Sequence, residues 1–126
     1  MIERILIDNA PGARGPYSHA VRAGDFLFVS GQGPIDPATN QLSTGDIRHE
    51  TRLTLENIRR ILEGSGATVA SVVKCSVFLA DAKDFAAMNE VYAEFFGNDK
   101  PVRTTVQTGM VADIKVEIDC IAYAPR

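Results

Sequence analysis

Two segments near the C-terminal end alternate so regularly that they leave little choice of structure. Pro101-Val102-Arg103-Thr104-Thr105-Val106-Gln107 and Lys115-Val116-Glu117-Ile118-Asp119-Cys120-Ile121-Ala122 are rich in β-branched residues and change character at every second position. That period predicts two strands. Successive side chains of a strand point to opposite faces. Val102, Thr104 and Val106 therefore share one face, and Arg103, Thr105 and Gln107 the other. Likewise Val116, Ile118, Cys120 and Ala122 oppose Lys115, Glu117 and Asp119. The expectation is a sheet with a greasy face and a charged face, the latter carrying Arg103, Thr105, Gln107, Glu117 and Asp119 together. Such a face either meets water or lines a pocket.

Further strands are expected at Arg4–Ile7, Tyr17–Arg22, Phe26–Ser30 and Val72–Leu79, with Ala23-Gly24-Asp25 as a hairpin turn. Gly31 to Asn40, with two glycines and two prolines, reads as a long loop. A first helix is predicted from Asp46 to Glu63, because Ile47, Thr51, Leu55, Ile58 and Leu62 step by three or four; Gly64 and Gly66 end it. A second runs from an Asp81 cap to about Phe96, with Phe85, Met88, Val91, Tyr92 and Phe95 as its stripe. The class is α+β. Two helices can cover only one face of such a sheet. The uncovered charged face is then best buried against other copies of the chain, which predicts an oligomer with polar pockets at its interfaces.

Composition narrows the possibilities. A chain of 126 residues is one domain, 1–126, and buries roughly two-thirds of its unfolded surface without disulfide or metal. The net charge of −3, with no Lys/Arg run, argues against a nucleic-acid or acidic-membrane surface. Cys75 and Cys120 match no zinc spacing and read as buried reduced thiols, which suit the cytoplasm. The start of the chain shows neither a signal peptide nor a spanning segment. Of the two histidines, His19 falls in a predicted strand and His49 in a predicted helix, and no spacing brings them together.

Gly15-Pro16-Tyr17-Ser18, Ser30-Gly31-Gln32, Asp36-Pro37-Ala38-Thr39, Thr51-Arg52, Leu55-Glu56-Asn57-Ile58, Val72-Val73-Lys74, Val77-Phe78-Leu79, Asn89-Glu90-Val91-Tyr92, Pro101-Val102-Arg103 and Val116-Glu117-Ile118 occur in this order over nearly the full length. In that ordered set the chain resembles the Rid (YjgF-type) family of enamine/imine deaminases. The resemblance implies a mixed six-stranded, chorismate-mutase-like sheet with two helices on one face. It also implies a homotrimer around a central barrel, with sites between subunits. The implied activity is hydrolysis of 2-aminoacrylate, 2-iminopropanoate and related 2-imino acids to 2-keto acid and ammonia, with no metal and no cofactor. Arg103 would bind the substrate carboxylate, since a guanidinium makes two parallel charge-assisted bonds to it. Glu117 would activate the attacking water and return the proton to the departing nitrogen. Tyr17 would close the pocket, and Ser30, Gly31, Asn89 and Thr105 would line it.

The chain departs from the family pattern at three places. Many members have Cys where Thr105 stands, Gly33 replaces a commonly apolar residue, and the stretch 108–113 lacks a frequent Leu-Pro and is one residue short. Three other readings compete: a ribonuclease, a non-catalytic binding module or holdase, and a deaminase dedicated to one pathway's imino acid. The last two would share the pocket but differ in turnover and substrate range.

Overall fold

The alternating segments do form strands, and register decides which side of each faces the core. A computed structural model describes residues 1–126. Its elements are β1 (Ile2–Ile5), β2 (Ala20–Ala23), β3 (Phe26–Gln32), β4 (Ile35–Asp36), β5 (Gln41–Leu42), α1 (Ile47–Gly64), β6 (Val72–Leu79), α2 (Phe85–Phe96), β7 (Val102–Gln107) and β8 (Val116–Tyr123). Six strands make one mixed sheet in the order β1-β2-β3-β8-β6-β7, while β4 and β5 pair apart from it. Only β6 and β7 run parallel. A parallel pair needs a crossover connection, and α2 supplies it.

Helix α1 begins where Asp46 accepts a hydrogen bond from the His49 amide at 2.8 Å. Its stripe packs on β3 and β8, and α2 packs on α1. Leu55, Ile58 and Leu62 are fully buried, each side chain contributing roughly 1.5–3 kcal/mol. The β2–β3 hairpin turns at Gly24, whose φ of 61° favours glycine. This matches the expected turn.

Several boundaries move for visible reasons. Strand β1 spans Ile2–Ile5, because the Ile7 amide leaves the ladder to donate to His19 Nδ1 at 2.8 Å. His19 is not in a strand. It sits buried just before β2, its Nε2 paired with the Pro11 carbonyl at 2.7 Å. Tyr17 to His19 likewise belong to a loop, tied to β3 by Ser30, whose hydroxyl donates to the Ser18 carbonyl and whose amide donates to His19. Asp81 caps one 3-10 turn, Ala82–Asp84, accepting from the Lys83 amide, and α2 starts only at Phe85. Phe85 is exposed rather than core.

The larger correction concerns faces. Cys75 pairs with Cys120 of β8 and with Arg103 of β7, and Val77 pairs with Ile118 and with Thr105. Paired residues share a face. Arg103 and Thr105 therefore lie on the helix side, whereas Glu117 and Asp119, opposite Phe78 and Ser76, lie on the open side. The expectation that all of them share one charged face is overturned. Alternation fixes parity within a strand but not the phase between strands. β7 is the sheet edge, where a charged side chain on the core side still reaches solvent. The open face is accordingly rich in apolar groups: Phe26, Phe28, Tyr123, Val102 and Val106 are all exposed, Val102 at 68%.

Candidate active site

The expected site residues fall into two groups on opposite sides of the sheet. The first group surrounds a cavity of about 560 Å³ lined by Tyr17, Ser30, Gly31 and Glu117. Its shape follows from a bulge. The β3–β8 register slips between Val29 and Gln32, so Ser30 and Gly31 stand outside the regular ladder beside Glu117. A Cβ on Gly31 would lie 2.5 Å from Glu117 Oε2, so only glycine lets the carboxylate approach the bulge this closely. Tyr17 is held by its own loop: its hydroxyl accepts from the Arg14 amide at 3.1 Å. Ile35, Leu42 and Ile114 give the cavity an apolar wall.

Helix α1 braces this cavity through two buried polar side chains. Asn57 donates to the carbonyls of Gly33 and Ile35 at 3.1 and 2.8 Å. Glu50, fully buried, accepts from the Gly45 amide, from the Lys115 amide at 2.7 Å and from Lys115 Nζ at 3.3 Å. It thereby fixes the chain two residues before Glu117. Sequence reasoning missed both residues, although they fall on the apolar arc with Ile47, Thr54 and Ile61, where a polar side chain signals a built-in hydrogen bond.

Burial pushes the Glu117 carboxyl up from its usual value, and Asp119 on the same face adds to the rise. No cation acts appreciably against it. The resulting group is a carboxylate more basic than usual, placed in a cavity.

The second group lies at the β7 edge. The Arg103 guanidinium sits over the rings of Tyr92 and Phe85, 4.7 and 5.5 Å from their centroids. Such stacking holds a guanidinium in place while leaving its N–H fork free. Arg103 makes no ion pair within the chain. The Tyr92 hydroxyl faces the Cys75 thiol, and Asn89 Oδ1 and Thr105 Oγ1 are buried without a partner in this chain. Tyr92 and Phe85, read from sequence as core stripe, are thus also the walls of this second group.

Within one chain the two groups do not meet. Strands β7 and β8 are separated by β6, about 9–10 Å apart, and the side chains point to opposite faces. Cys75 and Cys120 are both free and buried on the helix side, and burial raises the Cys75 thiol to about 11. No three His, Cys, Asp or Glu side chains form a group that could hold a metal ion. No helix is long and apolar enough to cross a membrane.

A mixed sheet backed by two helices, with a basic carboxylate in a bulge-built cavity, defines a YjgF-like α+β protein. The family model described as endoribonuclease L-PSP matches residues 7–124, and the chain belongs to this family, the Rid or YjgF family. It is 51% identical to a RutC family protein of Pyrococcus horikoshii, with 98% of each chain covered. It is 41% identical to TdcF of Escherichia coli, whose name describes a reactive intermediate deaminase, over 94% of each chain. The crystal structure of that TdcF with bound serine superposes with a TM-score of 0.88 at 39% identity, covering 95% of this chain and 98% of the other. RidA from an Antarctic Psychrobacter superposes with a TM-score of 0.91 at 38% identity, covering 96% and 98%.

Proposed function

We propose that the protein is a hydrolytic deaminase of 2-imino acids, working as a homotrimer in which each site joins the two groups from neighbouring subunits. The observation that carries this reading is Glu117: a carboxylate raised first by burial and then by Asp119, in a cavity beside a bulge. Arg103, stacked but unpaired at the sheet edge, supplies the complementary carboxylate anchor for the next subunit. The exposed Phe26, Phe28, Tyr123, Val102 and Val106 give the open face a reason to be covered by further copies. The serine bound by TdcF is an amino acid of the size and charge this site would take.

The chemistry follows from these placements. Arg103 fixes the substrate carboxylate with two parallel hydrogen bonds, which sets the position of C2. Glu117 takes a proton from water as the oxygen bonds to C2 and the C=N electron pair moves to nitrogen. Glu117 passes that proton to the nitrogen, giving a carbinolamine. Glu117 then takes the proton of the carbinolamine hydroxyl and delivers it to the amine as the C–N bond breaks, leaving the keto acid and ammonia. Positioned acid–base groups are worth about 10² to 10⁴ in rate. Ser30, Gly31 and Tyr17 border the reacting carbon, and Asn89 and Thr105 offer their unpartnered oxygens to the amine or water. The ribonuclease reading lacks an acid–base pair: His19 is consumed by two structural bonds, His49 hydrogen-bonds Ser43, and neither lines the cavity.

The test follows the decay of 2-aminoacrylate generated in situ, with wild type, Arg103→Ala and buffer alone. Acceleration by wild type that disappears in Arg103→Ala is expected. A properly assembled wild type that leaves the buffer rate unchanged would rule out this activity in favour of binding alone.

A further inference from the structure

The cavity holds a second charged side chain that the reaction above does not use. Among its lining residues are one acid, Glu117, and one base, Arg14. Arg14 takes part in none of the chain's ion pairs. Its backbone amide donates to the Tyr17 hydroxyl, which ties the two residues into one loop beside the cavity.

The cavity is also roomier than a three-carbon imino acid needs. Its volume is about 560 Å³. Gly33 contributes to that room: a Cβ there would come 3.2 Å from Ile114 Cδ1, so any larger side chain would press on the apolar wall or fill the space. An unpaired guanidinium and extra length therefore occur in the same cavity as the basic carboxylate.

We infer that Arg14 is a specificity-determining residue and that the substrates handled best are dicarboxylic 2-imino acids. Their α-carboxylate would be held by Arg103 and their distal carboxylate by Arg14. This rests on the deaminase reading for the catalytic end, but the distal contact is separately observable. A guanidinium matches a planar carboxylate with two hydrogen bonds, which an alkyl side chain of equal length cannot form.

The experiment compares kcat/KM for 2-iminoglutarate, 2-iminohexanoate and 2-iminopropanoate, each generated in situ by an amino-acid oxidase, in wild type and Arg14→Met. The expected result is a preference for the diacid over the uncharged acid of about tenfold or more, which Arg14→Met abolishes. A wild type without that preference, or an Arg14→Met variant with the same substrate ratios as wild type, would overturn the inference. Calorimetric binding of 2-oxoglutarate against 2-oxohexanoate keeps the two readings apart. If no imine is turned over, the deaminase reading fails. Tighter binding of 2-oxoglutarate that is lost in Arg14→Met still supports the diacid site, and equal binding of the two keto acids refutes it.

Discussion

Glu117 shows how one residue's chemistry is set by its neighbours. Two effects raise its carboxyl, burial first and the Asp119 charge second. A carboxylate with a raised pKa is the better base, and it must lose its proton before it can accept one from water. In the proposed reaction, the acidic limb of kcat/KM therefore reports Glu117. Asp119→Asn removes a like charge, so the Glu117 pKa falls and the limb moves to lower pH. A pH–rate profile of the variant checks this; a limb that stays in place or moves upward would contradict the assignment. Alternation and the family resemblance single out Arg103 and Glu117, but their placement relative to one another was not legible. Parity within β7 and β8 says nothing about which parity faces the helices, and only the pairing of Cys75 with both Arg103 and Cys120 decides it.

At the scale of elements, α1 does two jobs with one face. Ile47, Leu55, Ile58 and Leu62 seal the core, and Glu50 and Asn57, interleaved with them, hold the loops that border the cavity. The helix itself, with its start near Asp46, was legible from its apolar spacing. The bracing role was hidden, because its partners are backbone groups of distant loops that no local pattern reveals. Glu50→Ala would leave the part-buried Lys115 amide and the Gly45 amide without their acceptor. A loss of about 2–4 kcal/mol in unfolding free energy is expected, measured by urea titration. A change within about 0.5 kcal/mol, the range of ordinary surface substitutions, would mean that Glu50 braces nothing. Strand β1 and the start of β2 were misplaced from sequence for a related reason: His19 draws Ile7 and Pro11 to itself, and a buried histidine acting as a clamp leaves no periodic trace.

On the proposed reading, the whole chain is half of a site twice over. Its cavity presents Glu117, Tyr17, Ser30 and Gly31 without Arg103, and its β7 edge presents Arg103, Thr105 and Asn89 without Glu117. The count of helices against sheet faces carries the expectation of an oligomer. The character of the uncovered face could not, since it proves apolar as well as acidic. Heterologous contacts of this kind close into a ring when the rotation permits, and each ring contact then completes one site.

Complementation between inactive variants tests this account most directly. Arg103→Ala and Glu117→Gln proteins are to be dissociated, mixed in equal amounts, reassembled and assayed for imine hydrolysis. If each site takes its arginine from one subunit and its glutamate from the next, random reassembly regenerates intact sites and restores roughly a quarter of wild-type activity. If the mixture, with hybrid assemblies demonstrated, remains as inactive as either variant alone, the two residues do not act across subunits and the account of the site is wrong.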